Sequence, residues 1–197
     1  YDSDLNHFRS IKYNESQLRT DFIDHFFSIF GWDITNSNSK STNEREVLVE
    51  EGLKGGAGEN TKKPDYTFRL FSERKFFVEV KKPYVDILKE SEPAKQLRRY
   101  GFTAKLKISV LTNFEYFVLY DCSNPVSEDD TAETGYIARY HYTELAENFE
   151  LISTYIGRSA VYNGSFDLTW KYIEDKPEKF SVDNLFLAQI NTWRQCL

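Results

Sequence analysis

The feature that most constrains this chain is a pair of strand-like runs joined by a short polar turn. The first run covers Asp65 to Phe71 and the second covers Lys75 to Lys81, with Ser72-Glu73-Arg74 between them. Both runs alternate apolar and polar residues, which predicts a β-hairpin. Because a slip of one residue would turn every side chain of a strand to the other face, the apolar faces must match and thereby set the register.

This register brings three ionisable side chains together. Side chains alternate along a strand, so the apolar members of both runs share one face: Tyr66, Phe68, Leu70, Phe76, Val78 and Val80. The opposite face then carries Asp65, Glu79 and Lys81 near one end of the hairpin. Two carboxylates and an ammonium group are therefore predicted to converge.

Such a group suits the hydrolysis of a phosphodiester. Mg²⁺ takes oxygen ligands and is usually held by one or two carboxylates, waters and substrate phosphate, which predicts Asp65 and Glu79 as its ligands. Lys81 would orient the attacking water and stabilise developing negative charge. On spacing alone, a surface hairpin with cross-strand ion pairs, each worth at most about 1 kcal/mol, explains the pattern equally well.

The rest of the chain reads as alternating helices and strands. The predicted elements are a helix over Asn14–Gly31, a strand over Glu46–Glu50, a helix over Glu92–Tyr100 closed by Gly101, strands over Lys107–Leu111 and Tyr116–Tyr120, and helices over Tyr142–Ile156 and Val182–Leu197. This order predicts an α/β fold with a central mixed sheet flanked by helices. Residues 1–125 would form the core, and residues 126–197 an acidic loop and a C-terminal helical extension of the same domain.

Composition limits the classes of protein that fit. Hydrophobic residues make up 40% of the chain, enough for a packed core, and no apolar run approaches the roughly 18 residues of a membrane helix. The net charge is −6, yet residues 62–107 hold 13 Lys and Arg against 6 Asp and Glu. A basic middle favours a phosphate-attracting face, although ordinary solvated charge is equally compatible. Cys122 and Cys196 lack metal-type spacing, which favours a reduced, cytoplasmic setting.

Several motifs strengthen the nuclease interpretation. Pro64-Asp65 followed by Glu79-Val80-Lys81 resembles the signature of PD-(D/E)xK nucleases, and the helix from Ala94 to Gly101 resembles the QxxxY helix that follows the catalytic hairpin in restriction subunits. The first helix, Asn14 through Asp33, resembles the opening helix of the nuclease domain in type I and type IIG (fused restriction-modification) enzymes. Leu111 to Asp121 and Phe186 to Arg194 resemble later parts of that domain. The resemblance covers nearly the whole chain.

The resemblance implies a restriction-endonuclease-like fold and assigns roles by residue. Asp65 and Glu79 match the metal-binding acids, Lys81 the catalytic lysine, and Glu15 the glutamate that completes the acidic cluster. Further residues are implied to support the active site or contact DNA: Gln96, Tyr100, Arg98 and Arg99, with Lys105 and Lys107 as additional phosphate contacts. From the residues alone, each of these has an ordinary alternative, namely a favourable charge at a helix start for Glu15, an unremarkable Gln and Tyr, and solvated cations.

The implied function is a Mg²⁺-dependent endodeoxyribonuclease, with Mn²⁺ able to substitute. It would cleave double-stranded DNA as the cleavage module of a restriction-modification enzyme, with methyltransferase and specificity domains downstream on the same polypeptide. We accordingly expect a fragment of a longer protein, no membrane association, and transient pairing of chains for double-strand cleavage. Two alternatives stay open: a nuclease of another defence or repair system, and an inactive DNA-binding or scaffold domain.

Overall fold

The predicted α/β architecture is confirmed. The structure, a computed structural model, describes residues 4–51 and 63–174. These residues form a six-stranded mixed sheet with helices on both faces. The predicted helix over Val182–Leu197 and the motif from Phe186 to Arg194 lie outside the described residues.

The helices follow the predicted pattern in part. They are α1 (Leu5–Phe8), α2 (Glu15–Leu18), a π-helical turn (Arg19–Ile23), α3 (Asp24–Ile29), α4 (Ser91–Thr103), a 3₁₀ turn (Tyr142–Glu144), α5 (Phe149–Ile156), α6 (Arg158–Tyr162) and α7 (Ser165–Glu174). The first predicted helix begins as expected, because the Asn14 side chain accepts a bond from the Gln17 N–H and the Gln17 side chain accepts one from the Asn14 N–H. Among helices within residues 4–51 and 63–174, none has both the length and the apolar character needed to cross a bilayer.

The sheet runs in sequence order. Its strands are β1 (Val47–Val49), β2 (Tyr66–Leu70), β3 (Glu73–Val80), β4 (Ile108–Thr112), β5 (Tyr116–Asp121) and β6 (Tyr136–His141). β3 and β4 are parallel, and the other neighbouring pairs are antiparallel. A parallel neighbour needs a long crossover, which α4 supplies.

The sheet separates two hydrophobic clusters within the described residues. The first helix and α5 to α7 pack on one face, around Phe27, Phe68 and Trp170. Helix α4 covers the other face, where its Leu97 belongs to the same cluster as Phe77 of β3. The face that carries Phe77 also carries Glu79, so the predicted site lies on the α4 side of the sheet.

Strand β6 was not predicted, and the region before it was assigned to a loop. The strand continues the sheet beyond residue 125 by pairing antiparallel with β5. Its burial breaks simple alternation, because Ile137 and Ala138 are consecutive buried residues while Tyr136 and Arg139 are exposed. A register shift between Leu119 and the following residue accounts for the irregular pattern.

Two local predictions were wrong in detail. The hairpin turn is tighter than the predicted Ser72-Glu73-Arg74, because Phe71 adopts a positive φ of 53° and β3 already starts at Glu73. Gly101 does not end its helix, since α4 continues to Thr103. An added Cβ at Gly101 would lie 2.4 Å from Cys122 Sγ, so glycine is required for close approach of α4 to the sheet.

Candidate active site

The hairpin register places Asp65 opposite the end of β3. Tyr66 pairs with Val78 and Phe68 with Phe76, which confirms the predicted pairing of apolar faces, although a bulge after Phe68 pairs Leu70 with Glu73. Asp65 Oδ2 accepts a hydrogen bond of 2.7 Å from the Val80 N–H. This bond holds the carboxylate against the strand that carries Glu79.

Glu79 is buried and only partly satisfied. The residue is 3% exposed to solvent. Oε1 accepts bonds from Lys81 Nζ at 2.7 Å and Gln96 Nε2 at 2.8 Å. Oε2 is buried and has no hydrogen-bond partner among the described residues. A buried carboxylate oxygen without a donor is costly, and Oε2 has a free coordination position toward the cluster.

The electrostatics of the cluster reflect crowded, buried acids. Burial raises the pKa of Glu79 to about 7; Lys81 opposes the rise and Asp65 adds to it. Burial also raises the pKa of Asp65, against the Val80 N–H bond and the charge of Arg19. For Lys81 burial disfavours the charge, yet Glu79 outweighs it and the pKa is raised. The ammonium group therefore stays protonated at neutral pH.

Three further predicted residues, Glu15, Gln96 and Tyr100, lie near Glu79. Glu15 is the first residue of α2, half-buried, and close enough that its charge raises the pKa of both Asp65 and Glu79. Gln96 contacts Glu79 directly. Burial raises the pKa of Tyr100 to about 12, with Glu79 contributing to the rise. The first helix, the hairpin and α4 thus meet at one cluster.

The two predicted arginines of α4 lie elsewhere. Arg98 is buried, its Nη1 lies 2.5 Å from Asp130 Oδ2, and its Nε donates to the Asp121 carbonyl oxygen. This environment accounts for Arg98 by packing and pairing, so we do not retain it as a phosphate contact. Arg99 is exposed, with Nη1 3.7 Å from Glu92 Oε2. Lys105 is also exposed.

Arg19 was missed as a member of the cluster. Its Nη1 lies 3.3 Å from Asp65 Oδ1 and 3.0 Å from Glu50 Oε1. The guanidinium carbon lies 5.1 Å from the centre of the Tyr66 ring. The available signal was spacing, because residues four apart share a helical face and Arg19 follows Glu15 by four positions.

The residues suit a divalent cation in an open rather than a closed site. No group of three or more His, Cys, Asp or Glu side chains within the described parts of the chain is gathered tightly enough to enclose a metal. Mg²⁺ commonly needs only one or two carboxylates, since water and substrate phosphate complete its shell. The unpartnered Oε2 of Glu79, beside Asp65, supplies oxygen donors of the required chemistry.

Comparison with known proteins gives one informative similarity. The chain is 65% identical over all 197 residues to an Escherichia coli protein described as "Type II restriction enzyme and methyltransferase RM.Eco57I". The chain spans about 20% of the length of that relative. No family model matches the chain. No solved structure matches it either.

Proposed function

We propose that this chain is a PD-(D/E)xK-type, metal-dependent endonuclease module that hydrolyses phosphodiester bonds of double-stranded DNA. The observation that carries the proposal is the buried cluster in which Asp65 and Glu79 share one end of the hairpin with Lys81, whose Nζ lies 2.7 Å from Glu79 Oε1. The 65% identical relative is described as a restriction enzyme and methyltransferase, which supports a role in restriction-modification.

Asp65 and Glu79 would hold Mg²⁺, with Mn²⁺ able to replace it, and Glu15 would add negative charge nearby. A cation held there would supply Lewis-acid chemistry, polarising the phosphoryl oxygen and lowering the pKa of an attacking water. The Val80 N–H keeps Asp65 Oδ2 in place, and Gln96 fixes Oε1 of Glu79. Oε2 of Glu79 is thereby the oxygen left for a ligand.

Lys81 serves as a cation and a hydrogen-bond donor, not as a base. Its pKa is raised, because Glu79 outweighs the effect of burial, so it carries a proton at neutral pH. An ammonium at this position orients the attacking water and stabilises the negative charge that develops on the phosphate oxygens. With 20% of its side chain exposed, Lys81 remains accessible to substrate.

Partners follow from the proposed reaction. The proposed substrate is cytoplasmic DNA. Arg99 and the other exposed cations of residues 62–107 would contact its phosphates. A methyltransferase function would reside elsewhere on a longer polypeptide, in keeping with the description of the relative. We propose that a specificity domain does so too. One active site per chain cuts one strand at a time, so we propose transient pairing of two chains on a duplex.

A matched pair of lysine variants tests the assignment. Lys81→Ala should slow Mg²⁺-dependent cleavage of plasmid DNA by on the order of 10²- to 10³-fold, because a preorganised charge donor is lost. Lys75 lies on β3, which Lys81 directly follows, but it pairs with Glu73 and Asp167. Lys75→Ala should therefore cut at nearly the parental rate under conditions where circular dichroism shows both variants folded. Parental cleavage by Lys81→Ala would refute the proposed role.

An inactive scaffold is distinguished by metal binding. Titration of Mn²⁺ by calorimetry should show binding to the parent protein and its loss in Asp65→Ala. If Mn²⁺ does not bind with or without DNA, the scaffold interpretation is correct. A nuclease from another defence or repair system would share the metal site, but the methyltransferase in the relative's description favours restriction-modification.

A further inference from the structure

Arg19 occupies a position that the proposed reaction does not explain. Its side chain is 14% exposed and lies between two carboxylates, 3.0 Å from Glu50 Oε1 and 3.3 Å from Asp65 Oδ1. The face of the Tyr66 ring covers its guanidinium at 5.1 Å. Glu50 is mostly exposed, whereas Asp65 is largely buried. Arg19 therefore contacts a largely buried acid as well as a surface acid.

The contact with Asp65 involves the carboxylate oxygen that does not accept the Val80 N–H bond. Asp65 Oδ2 accepts a short bond from the Val80 N–H, whereas Oδ1 faces Arg19 at the longer distance of 3.3 Å. A divalent cation taking Oδ1 would therefore come within a few ångströms of a positive guanidinium. Two like charges at that distance repel by on the order of 1 kcal/mol or more near a protein surface.

The local backbone brings Arg19 to this place. The helix widens into a π-helical turn over Arg19–Ile23, directly after α2. Such turns interrupt the regular helical ladder and recur at functional sites. With Glu50 and Tyr66 as its other contacts, Arg19 can lose Asp65 Oδ1 without becoming unpaired.

We propose that Arg19 is a positioning residue that occupies Asp65 Oδ1 while no cation is bound, so that the guanidinium and the divalent cation compete for one carboxylate oxygen. The inference rests on the proposed function, since it takes Asp65 as a cation ligand. Competition keeps the cation weakly held in the free protein. A DNA phosphate is attracted by both the guanidinium and the cation, so its binding offsets the repulsion between them. Cation binding is thereby coupled to DNA binding.

Calorimetric titration with Mn²⁺ alone, without DNA, tests the competition. Arg19→Ala should bind Mn²⁺ about tenfold more tightly than the parent protein, since removing one nearby like charge is worth about a factor of ten. Arg19→Lys, which keeps the charge, should retain the weak binding of the parent. A residue with only a structural role would weaken metal binding when removed, so a gain in affinity is specific to competition.

Two controls locate the effect. Arg74→Ala removes another arginine, which lies nearer the turn of the hairpin and pairs with Glu51 at 2.7 Å instead of with Asp65, and should leave Mn²⁺ affinity unchanged. Adding Asp65→Asn to Arg19→Ala should abolish the gain. Unchanged or weaker Mn²⁺ binding in a folded Arg19→Ala protein would overturn the inference. That result would leave the proposed nuclease standing if the parent still cleaves DNA and Lys81→Ala does not.

Discussion

Two buried glutamates, one just before β1 and one in β3, have opposite environments. Glu46, which precedes β1, is 1% exposed and Glu79 is 3% exposed. Oε1 of Glu46 accepts bonds from Arg158 Nε at 2.8 Å, Tyr162 Oη at 2.6 Å and Lys40 Nζ, and Oε2 accepts the Asp33 N–H. Glu79, by contrast, keeps a buried Oε2 without a donor among the described residues.

The difference shows in their protonation. Burial opposes the charge on Glu46, but Arg158, Lys40 and Tyr162 outweigh it and lower the pKa to about 2. Burial dominates at Glu79 and raises the pKa to about 7. Glu46 thus joins the loop before β1 to α6 as a completed structural contact. Glu79 is held in place but unsatisfied, which is the condition expected of a ligand-binding group.

The largest expected change in stability is at Glu46. Glu46→Gln should lower the free energy of unfolding by about 3 kcal/mol, because it removes the charge of a buried carboxylate that pairs with Lys40 and Arg158. Glu79→Gln should leave the metal-free protein as stable as the parent or more stable, since it removes a charge that the protein only partly compensates. Urea unfolding at pH 7 in the presence of EDTA measures both.

Equal destabilisation by the two variants would break the distinction. It would mean that Glu79 is also a structural contact and that its unpartnered oxygen carries no functional information. Circular dichroism of each variant before unfolding establishes that the comparison starts from the same fold.

Acid should remove the contribution of Glu46 specifically. Its pKa is lower in the folded protein, from 4.5 to about 2, so its stabilisation is full above about pH 5 and is lost as the pH falls toward 2. At about 1.4 kcal/mol per pKa unit, about 2 kcal/mol should vanish between pH 7 and pH 3. The gap in unfolding free energy between parent and Glu46→Gln should shrink by that amount; a constant gap would show that the ion pairs contribute nothing.

The smallest effects come from removing one donor at each glutamate. Tyr162→Phe deletes the bond to Glu46 and should cost about 1 kcal/mol of stability without slowing cleavage. Gln96→Ala deletes the bond to Glu79 and should change stability by less than Tyr162→Phe does. It should slow cleavage by about tenfold, because the Glu79 carboxylate is no longer held in position. Thermal melting and cleavage assays on both variants separate the effects, and reversal of this pattern would contradict the division of roles.

Local alternation was sufficient to predict the convergence of three ionisable side chains at one end of the hairpin. The apolar faces of β2 and β3 set their register, and Asp65, Glu79 and Lys81 then lie together without knowledge of other elements. Gln96 was placed by resemblance, because its contact with Glu79 spans a crossover that strand parity does not describe.

Other features depend on contacts between distant residues. Glu46 pairs with Arg158 and Tyr162, which are 112 and 116 positions away in the sequence. The local pattern therefore showed Glu46 only as the first residue of a predicted strand. Gly101 resembled a helix end, yet its role is the approach of α4 to Cys122. Leu18, Phe22 and Phe26 keep the spacing of a regular helix through the π-helical turn that contains Arg19, so a regular helix was predicted there.

The most direct measurement is the single-turnover rate of duplex cleavage in Mg²⁺ by Glu79→Gln, with Glu46→Gln as the control below its melting temperature. Glu79→Gln keeps the shape of the side chain and removes its charge. We expect it to cut slower by on the order of 10³-fold, as the loss of about 4 kcal/mol of transition-state stabilisation requires, while Glu46→Gln cuts at nearly the parental rate. Cleavage by Glu79→Gln as fast as that of the parent protein would contradict the assignment of this cluster as the nuclease centre.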